Sequence, residues 1–152
     1  MTNLNRRDLT LALTAFASLS ALGADAQPSD NAPRLTHSQI FAFDQLPVHK
    51  APNGMVSRSV LRGTLATGEF VEVHETTLPP GEMPHPAHRH THSEFLLIRE
   101  GTLQVDSDGK QGIVHSGDVV FTASAVLHSL KNVGQVPANY FVVAVGIQKA
   151  IT

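Results

Sequence analysis

Short runs of apolar residues separated by turn residues dominate the chain from about residue 40 onward. The runs are rich in Val, Phe, Leu and Thr, and Pro, Gly, Asn and Asp stand between them. Many such runs at a spacing of about 8–12 residues are typical of a β-sandwich or barrel. The pattern predicts strands at residues 40–43, 56–64, 70–77, 94–99, 102–106, 112–115, 119–122, 128–132 and 138–145.

The turn residues support an all-β fold. Asp108-Gly109 is a two-residue hairpin signal, because a type I′ turn needs positive φ at both central positions. No stretch after residue 26 repeats apolar positions at the helical spacing, which disfavours parallel βαβ folds. The absence of a long internal repeat predicts a single barrel. We expect its core to include Phe95, Leu97, Phe121, Phe141 and Val143.

The first 26 residues differ in pattern from the rest. Arg6-Arg7 precedes an apolar stretch at residues 9–22, and small residues follow at Ala24 and Ala26. This order is that of a cleavable secretory signal, and the apolar stretch is too short to span a bilayer comfortably. The paired arginines resemble a twin-arginine export signal. We therefore expect a signal peptide at residues 1–26, a periplasmic or secreted protein, and no stable membrane anchor.

Residues 27–36 are polar and contain proline, which predicts a flexible N-terminal arm. The barrel domain is then expected to occupy residues 37–152. The formal net charge of -2 and the sequence pI of about 6.5 argue against nucleic acid as a partner. No cysteine is present, which excludes disulfides, thiolate ligands and a cysteine nucleophile.

Histidine is unusually frequent, and six of the nine histidines lie between His85 and His128. His88 and His90 are two residues apart, so on a strand both imidazoles would face the same side. Glu94 follows after three residues, which is enough for a tight bend that returns a carboxylate to that side. His128 adds an imidazole from a later strand.

Two segments resemble the conserved motifs of the cupin superfamily. His88, His90, Glu94 and Gly101 match the spacing of the first motif, and Gly81 lies one residue farther away than usual. Gly117, His128 and Asn132 match the second motif, in which Ala123 and Ala125 replace the usual Pro and Gly. The resemblance implies a single-domain double-stranded β-helix, the jelly-roll barrel of the cupins, with a metal inside its mouth. The implied metal ligands are His88, His90, Glu94 and His128.

Three imidazoles and one carboxylate suit a divalent first-row transition metal, and Fe, Mn, Ni, Cu, Co and Zn all qualify. A single carboxylate leaves the loaded site with a net charge of about +1. The expected partner is therefore a small anionic molecule.

Several roles stay open. His90 with His92 is a rival ligand pair, because His92 continues the same alternation. His85 lies between two prolines near the expected mouth, and His74 lies on a polar stripe that faces either solvent or the pocket. Glu94, His74 and His85 are the candidate catalytic acids or bases.

The resemblance does not imply one reaction, since one fold hosts many activities. The first hypothesis is a metal-dependent oxygenase, lyase or isomerase that acts on a small anionic or enolisable compound. The alternative is a non-catalytic module that binds a metal or a small ligand. A homodimer is also expected, because small cupins commonly pair through sheet edges.

Overall fold

The computed structural model describes residues 32–147, and this part of the chain is built from β-strands and one 3-10 turn, without an α-helix. The all-β prediction is confirmed. No helix within these residues has the length and apolar character needed to cross a membrane. The predicted signal peptide lies outside the described residues.

The strands are β1 (Arg34–Leu35), β2 (Val48–Lys50), β3 (Val56–Leu65), β4 (Glu69–Leu78), β5 (Ser93–Glu100), β6 (Thr102–Ser107), β7 (Lys110–His115), β8 (Val119–Thr122), β9 (His128–Asn132) and β10 (Ala138–Ile147).

Two sheets form the barrel. The larger has the strand order β1-β3-β4-β10-β5-β8, and β2 also pairs with β3; the smaller has the order β7-β6-β9. All pairs are antiparallel except β1 with β3. The hairpin between β6 and β7 turns at Asp108-Gly109, where φ is 53° and 71°, so the predicted type I′ chemistry is confirmed.

The core lies between the two sheets. The larger sheet contributes buried side chains from β4, β5 and β10, and the smaller sheet contributes them from β6 and β9. Because side chains alternate across a strand, only every second residue of each strand enters this core. Its buried members are Leu78, Leu96, Ile98, Leu103, Leu130, Ala138, Tyr140 and Val142.

The prediction of the core residues was wrong, because the residues chosen on β5 are the neighbours of those that face the core. Phe95, Leu97 and Phe121 are 40%, 42% and 57% exposed and lie on the outer face of the larger sheet. The same face carries Phe141 and Val143, which are partly buried. Leu96 and Ile98 point inward together with Glu94, and the period of two then sends their neighbours outward.

The N-terminal part of the described chain also departs from the prediction. Residues 40–43 do not form a strand: Ile40 is 99% exposed, and a 3-10 turn follows at Phe43–Gln45. The end of the predicted arm, Arg34–Leu35, pairs with β3 and is part of the sheet. The other predicted strands are confirmed, with ends within two residues of those expected.

Candidate metal centre

His88 and His128 are brought together by their backbones. They form an isolated antiparallel bridge, in which each N–H donates to the other's carbonyl at 3.1 and 3.0 Å. His128 begins β9, whereas His88 lies in the loop that precedes β5. Directly opposite residues of such a bridge place their side chains on the same side, and the two ring centroids are 4.5 Å apart.

His90 joins this pair from the same loop. Its ring centroid lies 4.7 Å from that of His128 and 5.2 Å from that of His88. One nitrogen atom of each of the three imidazoles lies within 4.8 Å of the others, which is close enough for a shared metal ion. His88 and His90 do not lie on a regular strand, but the loop conformation still makes their rings converge.

Backbone carbonyls orient two of these rings. The Nδ1 atom of His90 lies 2.8 Å from the carbonyl oxygen of His92, and the Nδ1 atom of His128 lies 3.0 Å from that of Val126. A carbonyl only accepts, so Nδ1 carries the proton and the lone pair resides on Nε2. This tautomer is the one that presents Nε2 to a metal, and the donor set therefore fits a divalent cation.

Glu94 supplies the carboxylate from the start of β5. Its Oε1 lies 3.2 Å from Nε2 of His90, and its Oε2 lies 3.7 Å from Nε2 of His128. Burial by itself raises the pKa of Glu94, but the neighbouring imidazoles of His128, His90 and His92 outweigh it and hold that pKa well below its usual range. Glu94 is therefore ionised, as a metal ligand must be.

His92 also contacts the carboxylate. Its Nε2 lies 3.3 Å from Oε1 of Glu94, and its ring stacks on that of His90 with centroids 3.7 Å apart. His90, His92 and Glu94 form a second group that could hold a metal. The structure thus brings together all four predicted ligands and the rival His92, and the tight bend expected before Glu94 falls at Thr91-His92.

The polar stripe on β4 faces the inside of the barrel. His74 pairs with the core residue Val142 of β10, and Glu72 pairs with the buried Ala144. Burial lowers the pKa of His74, and the charges of Glu72 and Glu94 offset part of this effect. His74 is therefore predominantly a neutral imidazole near neutral pH.

His85 lies at the edge of the cluster. Its ring meets that of His88 edge-on, with centroids 4.0 Å apart, and its Nδ1 lies 3.0 Å from the carbonyl of Pro86. Its position near the mouth stays a prediction.

Asn132, which matches the second motif, lies at the end of β9. It is fully buried, and its amide donates to the carbonyls of Leu78 and Val136. It therefore ties the end of β4 to the segment that follows β9.

Sequence reasoning missed Arg62 of β3. It pairs with Glu72 across the β3–β4 ladder, on the inner face. The only sequence signal for a polar group on this inner face was the alternation of Glu72 with His74 on β4. The phase of β3 was hidden by the irregularity between Ser59 and Leu61.

Comparison with known proteins agrees with this architecture. Residues 74–144 match the family profile described as a cupin domain. No curated protein matches the chain in sequence. Similar solved structures include an RmlC-like cupin from Shewanella frigidimarina, which is 19% identical with a TM-score of 0.60 over 74% of this chain and 95% of that one.

Two further structures have the same TM-score of 0.60. A predicted oxalate decarboxylase from Thermotoga maritima is 20% identical, over 70% of this chain and 98% of that one. KdgF from Halomonas sp. is 13% identical, over 71% of this chain and 94% of that one. These similarities show that the described chain has the cupin fold.

Proposed function

We propose that this protein, which has the cupin fold, is a metal-binding cupin and a metal-dependent enzyme that acts on a small anionic or enolisable compound. The observation that supports the proposal is the convergence of three imidazoles beside an ionised carboxylate at the inner end of β5. Two of the imidazoles are fixed by carbonyls in the tautomer that binds metals.

The ligands in this proposal are His88, His90, His128 and Glu94. Their donor types suit a divalent first-row transition metal. When bound, such a metal supplies a Lewis acid that polarises a ligand oxygen. His92 is the alternative ligand, because it reaches the same carboxylate oxygen as His90.

Calorimetric titration of the metal-free protein with Co²⁺, Mn²⁺ and Zn²⁺ tests the metal site. We expect one equivalent to bind, and we expect His90→Ala to lose most of the affinity. His115→Ala is the matched control, since His115 is an exposed histidine at the end of β7. Full affinity in the His90 variant would overturn the proposal.

His128→Ala and His92→Ala distinguish the two ligand sets. If His128 is a ligand, its replacement lowers the affinity far more than the replacement of His92. The reverse order would assign the metal to His90, His92 and Glu94 instead.

The chemistry that the residues themselves offer is proton transfer. Glu94 is held by three imidazoles, which leaves it a weak base. His74 is a neutral imidazole on β4 of the same sheet, and the His85 ring contacts that of His88, so these two residues are the better-placed groups for taking a proton from an enolisable ligand.

Turnover tests the enzymatic part of the proposal. The metal-loaded protein should be assayed with diketones, flavonols and sugar acids, and with oxalate because one similar structure is described as a predicted oxalate decarboxylase. Conversion of one class is expected. Binding without conversion across the panel would favour the non-catalytic metal- or ligand-binding module.

We also propose that the protein is exported to the periplasm or secreted, by the twin-arginine route. The support is the order of Arg6-Arg7, the apolar stretch at residues 9–22 and the small residues that end at Ala26.

A further inference from the structure

Two polar walls lie on the inner face of the larger sheet, one on each side of β10: the candidate metal centre beside β5, and a group of side chains on β3 and β4. Glu94 of β5 and Glu72 of β4 both pair with Ala144, so the two carboxylates lie in one row on the inner face. Neighbouring strands are about 4.8 Å apart, which places the backbones of the two walls on the order of 10 Å from each other. Between them Ala144 is buried and contributes only a methyl group.

The second wall consists of Arg62, Glu72 and His74. The Nε atom of Arg62 lies 3.5 Å from Oε2 of Glu72, and Nδ1 of His74 lies 3.7 Å from Oε1. The Glu72 and His74 side chains keep 21% and 33% of their surface accessible. The guanidinium carbon of Arg62 lies 5.5 Å from the ring centroid of Phe70, which is fully buried.

A structural ion pair on the same strand looks different. Glu75 has no exposed surface, its Oε2 accepts from Arg58 at 3.0 Å, and Thr77 and Asn139 also donate to its carboxylate. Glu72 is held more loosely: beyond the 3.5 Å ion pair with Arg62, its buried Oε2 accepts no hydrogen bond. A buried acceptor in this state is costly unless a ligand or water completes it.

The charges of the two walls determine what fits between them. Arg62 and Glu72 cancel, so the second wall is neutral overall but offers a strong donor beside a strong acceptor. A hydroxyl group satisfies both, because it donates and accepts at once. A loaded metal site on the first wall carries a net charge of about +1 and therefore attracts one carboxylate.

We propose that Arg62, Glu72 and His74 bind the hydroxyl-bearing end of a small polyhydroxy monocarboxylic acid, whose carboxylate end is held at the metal site. The proposal deepens the proposed function and depends on it for the carboxylate end only. Hydrocarbon chains leave the polar wall unsatisfied, and a second carboxylate is repelled by Glu72.

Two probes with the same chelating end test the wall. D-gluconate and 2-hydroxyhexanoate share a carboxylate, a 2-hydroxyl group and a six-carbon chain, and they differ in the distal hydroxyl groups. Each is titrated by calorimetry into the Co²⁺-loaded and the metal-free protein. We expect the wild-type protein to prefer gluconate by roughly tenfold, because hydrogen bonds to charged groups are the stronger class.

The variant Glu72→Gln removes the charged acceptor and keeps its size. We expect the preference to fall to within about threefold, while Co²⁺ affinity and the melting temperature stay unchanged. His74→Gln should lower the same preference. The matched control is Glu100→Gln, an exposed carboxylate at the far end of β5, which should leave the preference intact.

The outcomes separate the two proposals. If Co²⁺ binds but Glu72→Gln keeps the full preference for gluconate, the second wall does not bind hydroxyl groups and the inference is wrong. If the wild-type protein binds no Co²⁺, the metal function is wrong, and the dependence of gluconate binding on Glu72 in the metal-free protein still decides for or against the wall.

Discussion

Ala125 is the residue whose backbone conformation is most unusual near the metal centre. Its φ is 63°, in the left-handed region, where the Cβ of an L-residue approaches the following carbonyl at a cost of about 1–2 kcal/mol. Its N–H donates to the carbonyl of His90 at 2.8 Å, and its own carbonyl accepts from Arg89. Ala125 therefore ties the loop before β9 to the histidine segment, at the position where the cupin motif has glycine.

Replacing Ala125 with glycine should stabilise the protein. Glycine adopts positive φ without the steric cost, although it loses more backbone entropy on folding. We expect a net gain of about 0.5–1 kcal/mol in the free energy of unfolding, measured in urea. Ala123→Gly is the control: Ala123 has a negative φ, so it should lose stability instead. Equal effects at both positions would contradict the argument from strain.

His74 predicts a specific dependence of stability on pH. Burial lowers its pKa, while Glu72 and Glu94 raise it and His85 lowers it further; Glu75 also contributes a raising charge. Below the unfolded pKa of about 6.5, the unfolded chain binds a proton that the folded chain resists, so the free energy of unfolding falls as pH falls.

The comparison is between wild-type protein and His74→Gln, both metal-free. The wild-type protein should lose stability relative to the variant as pH falls from 8 to 5, in urea unfolding at each pH. Parallel curves for the two proteins would show that His74 titrates alike in the folded and unfolded states.

The convergence of the candidate ligands could be predicted from the sequence because their spacing is mostly local. The histidines and Glu94 lie within one short segment, and only His128 had to come from elsewhere. His92 could not be separated from its neighbours, since the bend at Thr91-His92 turns it back toward the same carboxylate. Arg62 and Glu72 depend on register between strands, which no local pattern specifies.

At the scale of single strands, the wrong phase of the core has a clear cause. β5 carries large apolar residues on both faces, Phe95 and Leu97 outside and Leu96 and Ile98 inside. The sequence of β5 therefore shows no alternation between apolar and polar residues that would identify its buried face. The large aromatic side chain of Phe95 led to the prediction that the outer face was the buried one. The inward direction of Glu94 would have determined the phase, because residues 94, 96 and 98 share one side.

The β3–β4 pair carries a buried ion pair that is testable. Arg58 lies opposite Glu75, and its guanidinium packs on the Phe43 ring at 4.5 Å. Arg58→Met leaves a fully buried carboxylate without its cation, and we expect a loss of about 2–3 kcal/mol in the free energy of unfolding. Arg62→Met is the control and should cost less than about 1 kcal/mol, since its pair is longer and more exposed. Similar losses would contradict the distinction drawn between the two pairs.

The whole molecule presents an apolar face at the β8 edge of the larger sheet. Phe95 and Phe121 pack together there with ring centroids 5.0 Å apart, and Leu97 and Val119 extend the surface. An open edge next to exposed apolar residues favours pairing with another chain. We expect this surface to form the homodimer.

Sedimentation equilibrium at micromolar concentration measures the association. The wild-type protein should be a dimer, and Phe121→Asp should shift it to monomer without changing the circular dichroism spectrum. Ile113→Asp is the control, because Ile113 is similarly exposed but lies on β7 of the other sheet. A monomeric wild-type protein, or an equal effect of both variants, would assign the dimer elsewhere or exclude it.

If the protein is exported and binds a metal as proposed, its export route determines where it acquires that metal. Affinity for divalent metals follows nearly the same order at most sites, so loading in a metal-variable compartment favours Cu and Zn. A chain that folds before export selects its metal in the cytoplasm. Changing Arg6 and Arg7 to Lys should therefore trap unprocessed precursor in the cytoplasm with an intact, metal-loaded barrel. Normal cleavage after Ala26 in that variant would indicate the general secretory route and loading after export.

The position of β10 determines when the larger sheet can be completed during synthesis. It follows the other described strands in the chain, yet it lies between β4 and β5 in the middle of the larger sheet, and it is the only strand that joins the two polar walls. At about 5–20 residues per second, synthesis of residues 1–147 takes roughly 7–30 s, during which the sheet lacks its centre. A receptor that binds the nascent chain during those seconds meets an open barrel, whereas a receptor that acts after synthesis meets the folded protein. A receptor that binds the N-terminus in those seconds therefore acts before any receptor that requires a folded barrel.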